Sequence, residues 1–220
     1  MHYHVLGKTI RSERAAKSWR QPSAHVLAWI AALPRSFVAL DYGCGKLRYT
    51  IPLASRVKSV QAVDSALQLK RLQCVGGYQT TVSAYVAKHL PNARALDVDS
   101  EAWRRRRYDA VLCTNVLSAI PTAGARMRVL NSIGDVLKPR GRVLLSTQYR
   151  NEYFRRYRDV EGAERCLDGW LVPCPAEPNA ATFYGLIDRY ALTALADSAG
   201  LGVIQSYHRG ESAYVVAESI

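Results

Sequence analysis

The stretch Val38-Ala39-Leu40-Asp41-Tyr42-Gly43-Cys44-Gly45 decides the fold of this chain. Its first part is a short apolar run, which is typical of a buried strand in a parallel sheet. An acidic residue ends the run, and the two glycines that follow let the backbone approach a ligand closely. The stretch therefore predicts a strand, a ligand-binding loop and a helix at the carboxyl end of a central strand.

The same alternation of apolar runs and helical periodicity continues along the chain. Further predicted strands lie at 59–63, 93–96, 110–113 and 143–146. Two last strands, at 202–207 and 213–217, are joined by a turn too short for a crossover and must be antiparallel. The pattern predicts an α/β fold with a doubly wound, Rossmann-like sheet of seven strands. The sheet is expected to be mostly parallel with an antiparallel last strand, and to carry helices on both faces.

The length of 220 residues suits one domain, so a single domain over 1–220 is expected. Residues 1–35 read as an N-terminal helical cap. Residues 148–187 interrupt the alternation with many aromatic and arginine residues. They predict a substrate-side insert or lid, in which 153–157 would form an amphipathic helix.

Composition excludes several classes of protein. The apolar share of 49% and the charged share of 22% are ordinary for globular chains, which excludes global disorder. No window reaches the roughly 18 uninterrupted apolar residues of a membrane span, so a soluble, cytoplasmic protein is expected. Five cysteines without a Cys-x-x-Cys pair indicate neither a disulfide framework nor a metal site.

The net charge of +12 is unevenly distributed along the sequence. Residues 1–60 carry ten Lys and Arg against two Asp and Glu, whereas residues 166–220 carry two against six. A basic first half favours an acidic partner, such as a nucleic acid or an anionic small molecule. Arg outnumbers Lys 23 to 7, so a compositional bias of the source genome is an alternative explanation.

Polar residues end four of the predicted strands, namely Asp41, Asp64, Asp97 and Asn115. Because ligands of open α/β sheets bind outside the carboxyl ends of the strands, these side chains form one constellation. A dinucleotide fingerprint fails, since its third glycine is replaced by Arg48 and Asp41 would repel a pyrophosphate. Asp64 lies 19 residues beyond Gly45, where a carboxylate can accept from both ribose hydroxyls. The expected ligand is a ribonucleoside with a cationic tail.

These segments resemble the motifs of the class I S-adenosylmethionine-dependent methyltransferases. The segments similar to their motifs, in order, are 38–45, 61–64, 96–98, 108–117 and, leading into the fifth strand, 137–145. The resemblance covers about residues 36–147 and the closing pair of strands. It implies a methyltransferase that uses S-adenosyl-L-methionine and releases S-adenosyl-L-homocysteine.

The resemblance also implies which residues bind this cofactor. They are Asp41, Gly43, Cys44, Gly45, Asp64, Ser65, Asp97, Val98 and Asn115. Asp41 and the glycine-loop backbone would hold the methionine part, and Asp64 would take the ribose hydroxyls. Asp97 would accept from the adenine amino group, with Val98 against the ring. Asn115 would border the methyl-transfer site.

Alternative roles remain open for several of these residues. Asp64 and Asp97 could equally be N-caps of the segments that follow them. Asp99 competes with Asp97 for the adenine role, although Asp97 ends the strand directly. Leu47 stands where the family commonly has a third glycine, and Cys44 and Cys113 are expected to be packing residues.

The reaction itself demands no particular catalytic residue, because methyl transfer from a sulfonium is an in-line displacement that depends on alignment. The fourth motif reads Asn115-Val116-Leu117-Ser118, which differs from the Asn/Asp-Pro-Pro-aromatic pattern of enzymes that methylate exocyclic base amines. This argues against a standard DNA base-amine methyltransferase.

The acceptor is expected to bind to the cap and the insert. The candidate residues are Trp19, Arg20, Tyr149, Tyr153, Trp170 and Tyr184. We expect a small molecule methylated on nitrogen, oxygen or sulfur. One alternative is an RNA or other nucleic-acid methyltransferase that uses the basic cap. Another is a non-catalytic nucleotide-binding or scaffolding protein, because fold does not dictate function.

Overall fold

A computed structural model describes residues 3–150 and 156–220 of the chain. Its helices include α1 (Ala24–Ala31), α2 (Thr50–Arg56), α3 (Ala66–Lys70), α4 (Val82–His89), α5 (Ala123–Val136) and α6 (Arg189–Ser198). Short 3-10 helices lie at Ser12–Ala15 and Leu117–Ala119. Among the described residues, no helix combines the length and the apolarity needed to cross a membrane.

The strands belong to three sheets. The first seven are β1 (Tyr3–Val5), β2 (Lys8–Ile10), β3 (Val38–Tyr42), β4 (Ser59–Asp64), β5 (Gln73–Val75), β6 (Tyr78–Thr80) and β7 (Ala93–Asp97). The others are β8 (Tyr108–Thr114), β9 (Leu137–Gln148), β10 (Glu164–Cys166), β11 (Gly169–Cys174), β12 (Glu177–Gly185), β13 (Leu201–Arg209) and β14 (Ser212–Ser219).

Seven of these strands form one sheet in the order β13-β14-β9-β8-β3-β4-β7. Strand β3 is parallel to both of its neighbours, β4 and β8, and β4 is parallel to β7. Strands β13 and β14 are antiparallel. The predicted Rossmann-like sheet with its antiparallel closing strand is therefore confirmed. In chain order, the first strand of this sheet is β3, which comes directly before the Gly43-Cys44-Gly45 loop.

The chain divides into two compact units. The first unit contains residues 1–15, 113–134 and 145–220, and the second contains 16–112 and 135–144. Strands β8 and β9 each run through both units. The single domain over 1–220 stays a prediction.

The second unit is built around strands β3 and β4, whose side chains are buried on both faces of the sheet. Leu40, Ala62 and Val63 have no measurable exposure, as expected for central parallel strands. Trp103 is also fully buried, and its indole N–H donates to the carbonyl of Val98 at 3.1 Å. The second unit thus has its own core beneath the ends of its strands.

Within the second unit, Gly76 and Gly77 form the tip of a β-hairpin made by β5 and β6. Both glycines have positive φ, 56° and 93°, which a two-residue hairpin turn with matching twist requires. A Cβ on Gly76 would also collide with the ring of Tyr85. The hairpin strands have only three residues each, so periodicity could not identify them.

The N-terminal helical cap predicted over residues 1–35 is wrong for its first part. The chain there forms the hairpin β1–β2 and then a 3-10 helix, and α1 begins only at Ala24. Strand β2 pairs in parallel with β12, which places Ile10 beside Ala181. Ile10 is 3% exposed, so burial in a distant sheet overrides the weak local helical preference of this polar segment.

The predicted insert at 148–187 contains three strands, and its place on the substrate side stays a prediction. Strands β10, β11 and β12 extend β1 and β2 into a five-stranded sheet in the order β1-β2-β12-β11-β10. One face of this sheet packs a small core of Ile10, Leu171, Ala181 and Phe183. The amphipathic helix predicted at 153–157 falls mostly outside the described residues.

An ion pair joins α5 to the β10–β11 turn within the first unit. The guanidinium of Arg126 donates to both carboxylate oxygens of Asp168, at 2.5 and 2.8 Å, and its Nε donates to the carbonyl of Ile120 at 3.0 Å. The Arg126 side chain is only 4% exposed. Removal of its partner would leave a buried, unpaired charge.

We therefore expect Asp168→Ala to lower the free energy of unfolding by about 3 kcal/mol in urea denaturation. Asp159→Ala is the matched control, because its ion pair with Arg158 is exposed on both sides and should change stability by less than about 1 kcal/mol. Equal effects of the two substitutions would contradict the structural role of the buried pair.

Candidate cofactor site

The loop after β3 is tied to the neighbouring strand by backbone hydrogen bonds. The N–H groups of Gly43 and Cys44 both donate to the carbonyl of Val63, at 2.7 and 3.0 Å. Gly43 and Gly45 have φ values of 74° and 55°, a region that favours glycine. The loop therefore follows a fixed path, and at its two glycines no side chain keeps a ligand away from the backbone.

Asp64, the last residue of β4, connects this loop to α3. One carboxylate oxygen accepts from the N–H of Gly45 and the other from the N–H of Ser65, each at 2.8 Å. Desolvation raises the pKa of this carboxyl, and the two hydrogen bonds and the charge of Arg71 oppose that rise. Each oxygen retains a second lone pair, so the carboxylate can accept from two further donors such as a ribose diol.

Asp41 lies inside the unit, with 2% of its surface exposed. Its carboxylate accepts from the hydroxyl of Thr50 at 2.6 Å, and burial raises its pKa to about 7. The adjacent Asp64 raises the Asp41 pKa further. Asp41 lies near the carboxyl end of β3, where a buried carboxyl suits a cationic ligand group. A nearby positive charge would favour the ionised form of the carboxyl.

Asp97 ends β7 directly opposite Asp64 in register. Its carboxylate accepts from the N–H of Asp99 at 3.1 Å, and the N–H of Val98 donates to the carbonyl of Asp64 at 2.9 Å. The chain continues as a turn and not as a helix, so the N-cap alternative for Asp97 is wrong. It is also wrong for Asp64, because Ser65 caps α3.

Asn115 follows β8 in the first unit and has an unusual backbone. Its φ is 60°, and its N–H donates to the carbonyl of Ser146 at 2.7 Å. The side-chain Oδ1 is buried without a hydrogen-bond partner among the described residues. A strained backbone together with an unsatisfied buried acceptor is the combination expected at a binding site.

The aromatic candidates of the insert fall into two places. Trp170 and Tyr184 are cross-strand partners on one face of the five-stranded sheet, where the Arg165 guanidinium lies 5.7 Å from the Trp170 ring. Tyr157 stacks on Tyr184 with ring centroids 4.3 Å apart. Tyr149 is separate from this cluster along the chain and stacks on His208 at 3.9 Å. The candidate Tyr153 lies outside the described residues.

Trp19 and Arg20 belong to the second unit. The Trp19 ring lies near the tip of the β5–β6 hairpin, where a Cβ on Gly77 would be 3.9 Å from it. The carbonyl of Ser18, just before Trp19, accepts from Arg48 Nε at 2.6 Å. Arg20 is exposed. Within the second unit, the backbone next to these two candidates is thus held by a residue that closely follows the glycine loop.

The positive charge of the protein is concentrated in the second unit. That unit has 18 Lys and Arg against 7 Asp and Glu, a balance of +11, whereas the first unit has 12 against 11. Arg11, a member of the predicted basic cap, is paired with Glu177 in the first unit. The second unit also contains three of the six Lys and Arg residues of the predicted cap, Lys17, Arg20 and Arg35.

The residues at the strand ends fit S-adenosyl-L-methionine. Within the second unit, the loop offers backbone without side chains at its two glycines, and the Asp64 carboxylate has acceptor positions that its two hydrogen bonds do not use. Asp41 and Asp97 add carboxylates suited to a cationic group and to an exocyclic amine. The buried Asp41 carboxyl in the strand that leads into this loop disfavours the pyrophosphate of a dinucleotide.

Comparison with known proteins agrees with this geometry. The profile of a methyltransferase domain family matches residues 12–206, and the chain belongs to this family of S-adenosylmethionine-dependent methyltransferases. S-adenosyl-L-methionine is its cofactor. The uncharacterized protein YmfD of Escherichia coli (strain K12) is 34% identical over 219 residues, which cover 100% of this chain and 96% of that protein.

Two solved structures share the fold. A SAM-dependent methyltransferase from Methanosarcina mazei aligns with a TM-score of 0.61 and 16% identity, covering 91% of this chain and 99% of that one. The 1,6-didemethyltoxoflavin-N1-methyltransferase of Burkholderia thailandensis aligns with a TM-score of 0.57 and 18% identity, covering 95% and 78%. That second structure contains bound 1,6-didemethyltoxoflavin and S-adenosylhomocysteine. These proteins give no support to a nucleic-acid partner.

Two features of the site were absent from the sequence predictions. Gln68 is fully buried on α3 and donates to the carbonyl of Gly45 at 2.7 Å. Leu47 is fully buried although its φ is 62°, a region that costs roughly 1 kcal/mol for a residue with a Cβ. No pattern in the sequence marks Gln68, because it gains its role only where α3 places it against the carbonyl of Gly45.

The strained backbone at Leu47 predicts that the usual stability order of Ala and Gly substitutions is reversed at this position. Leu47→Ala and Leu47→Gly both lose the buried side chain, but Gly relieves the backbone, so we expect Leu47→Gly to be more stable than Leu47→Ala by about 1 kcal/mol. Leu53 is an equally buried control in α2, where the Gly variant should be the less stable by about 1 kcal/mol. Urea denaturation of all four variants measures these differences. If the Ala variant is the more stable at both positions, the backbone at Leu47 is not strained.

The raised pKa of Asp41 predicts a pH-dependent stability. Because the folded pKa is about 7 and the usual value is 3.8, the folded state retains the proton that the unfolded state releases, and stability falls as the pH rises between these values. Asp41→Asn should therefore gain stability relative to wild type from pH 4 to pH 8, by at most about 4 kcal/mol. The exposed Asp99→Asn is the control, and parallel pH profiles for wild type and Asp41→Asn would refute the prediction.

Proposed function

We propose that the chain transfers a methyl group to a nitrogen, oxygen or sulfur atom of a small, ring-bearing acceptor. The bound cofactor would supply an electrophilic methyl group on a sulfonium. The protein's own contribution is to hold the reactants in line and to remove water from around them, which can account for much of the rate enhancement.

The assignment of cofactor residues depends above all on the Asp64 carboxylate. It is fixed by one backbone N–H from the glycine loop and one from the start of α3, and two acceptor positions remain. We assign these positions to the ribose hydroxyls, with Asp97 and Val98 at the adenine and Asp41 with Gly43, Cys44 and Gly45 at the methionine part. Ser65 keeps the carboxylate oriented through its N–H.

The small, ring-bearing acceptor is supported by the aromatic face of the first unit. Trp170, Tyr184 and Tyr157 form a cluster of aromatic rings, and the Arg165 guanidinium lies over the Trp170 ring at 5.7 Å from its centroid. Such a face suits a planar ring with a polar or anionic substituent. The fold relative with bound 1,6-didemethyltoxoflavin shows that this architecture accepts a small molecule in another protein.

The buried Oδ1 of Asn115 supports an acceptor or cofactor group that carries a hydrogen-bond donor. An unsatisfied acceptor in a buried position discriminates strongly between ligands, because a ligand without a donor leaves it unpaired. We treat Tyr149, Trp19 and Arg20 as second-choice contacts for the acceptor, because none of them has a ring contact with the Trp170–Tyr184 pair among those that the structure shows.

Cofactor binding and turnover can be tested in one series. Calorimetry should show S-adenosyl-L-homocysteine binding to wild type and about 10- to 100-fold weaker binding to Asp64→Asn, because hydrogen bonds to a charged acceptor are lost. Asp135→Asn, which changes an exposed carboxylate near the end of α5, is the matched control and should bind like wild type. NADH should not bind.

Turnover would then be measured as S-adenosyl-L-homocysteine released with panels of aromatic amines, phenols, thiols and with RNA. We expect product only with small ring compounds, and a raised acceptor KM in Trp170→Ala with unchanged cofactor affinity. Release with RNA alone would overturn the small-molecule proposal. Tight cofactor binding without turnover on any panel would favour a non-catalytic role.

A further inference from the structure

Gln68 lies directly behind the glycine loop, outside the segments that carry the family resemblance. It has no measurable exposure, and its Nε2 donates to the carbonyl of Gly45 at 2.7 Å. Its Oε1 is buried and has no hydrogen-bond partner within the described part of the chain. A buried amide with one oxygen left unsatisfied is costly, so its retention requires a reason.

Gln68 completes a closed ring of hydrogen bonds with the residues assigned to the ribose. Asp64 accepts from the N–H groups of Gly45 and Ser65, each at 2.8 Å. The hydroxyl of Ser65 accepts from the N–H of Gln68 at 3.3 Å, and Gln68 returns to Gly45 through its side chain. Because the ring is closed, the orientation of the carboxylate depends on every member of it.

A second contact connects this ring to the β5–β6 hairpin. Gln68 Nε2 also donates to Gln73 Oε1 at 3.2 Å, and Gln73 Nε2 donates to the Gln68 carbonyl at 2.9 Å. Both donors of the Gln68 amide are therefore used within the protein. The Oε1 atom, by contrast, accepts no hydrogen bond from the described residues, so it remains available to a donor on a bound ligand.

We infer that Gln68 is a positioning residue of the cofactor site. Its amide fixes the Gly45 peptide, whose N–H orients the Asp64 carboxylate toward the ribose. Its unpaired Oε1 accepts from a ribose hydroxyl of the bound nucleoside. This inference rests on the proposed assignment of Asp64, and it predicts that the effect of Gln68 belongs to the nucleoside part of the cofactor.

Calorimetry with S-adenosyl-L-homocysteine and with adenosine tests this directly. Gln68→Met keeps the length of the side chain and removes its hydrogen bonds, and we expect about tenfold weaker binding of both ligands. Gln73→Met is the matched control, because it breaks the same buried amide pair but leaves the Gln68–Gly45 bond, and its affinities should stay within about twofold of wild type.

Kinetics add a readout that a purely structural role would not move. Because Gln68 contacts no reacting atom, Gln68→Met should raise the KM for the cofactor and leave kcat at saturating cofactor unchanged. If Gln68→Met does not fold, Gln68→Glu serves instead, since an isosteric carboxylate cannot donate to the Gly45 carbonyl and should weaken binding at least as much.

Several results would overturn the inference. Equal losses in Gln68→Met and Gln73→Met would indicate a general packing effect, and a loss for S-adenosyl-L-homocysteine but not for adenosine would remove the link to the ribose. Unchanged affinity in Gln68→Met would refute the positioning role alone. An absence of S-adenosyl-L-homocysteine binding by wild type would instead refute the proposed cofactor site.

Discussion

The hydrogen bond from the Gly45 N–H to the Asp64 carboxylate, at 2.8 Å, is the contact on which the candidate site depends. It joins the loop after β3 to the end of β4, so the glycine backbone and the acidic side chain act as one surface. The parallel register of β3 and β4 determines that the two strands end at the same edge of the sheet. The hydrogen bonds from Gly43 and Cys44 to the Val63 carbonyl then fix the path of the loop. Without this contact, the glycines would provide freedom of movement rather than a rigid ligand surface.

Charged groups of the second unit act over two different distances. The unit as a whole carries +11, yet its buried or strand-end carboxylates Asp41, Asp64 and Asp97 lie where the cofactor is expected. Local carboxylates determine which groups bind, because charge interactions in a desolvated site are much stronger than those across solvent. The surrounding positive surface acts at longer range and is screened by salt.

The sequence was sufficient for the sheet and for the strand-end residues. Short apolar runs ending in Asp41, Asp64 and Asp97 are local signals, and parallel strands bring their carboxyl ends to one edge without further information. Ile10 and Gln68 were beyond reach for a different reason. Ile10 becomes a strand residue only through β12, and Gln68 is functional only because α3 places it behind Gly45. Both depend on contacts between distant segments, which periodicity does not encode.

The pairing of β2 with β12 has a consequence for the order in which the chain can fold. Ile10 and Ala181 are neighbours in the sheet although 171 positions separate them in sequence, and the first unit is assembled from three separate stretches of chain. During synthesis, the N-terminal hairpin emerges from the ribosome long before its partner strand exists. Such long-range pairing forms slowly, because the loop must close before any contact compensates the lost entropy. Strand β2 therefore stays without its partner until β12 has been made, and deletion of either β2 or β12 would affect the same sheet.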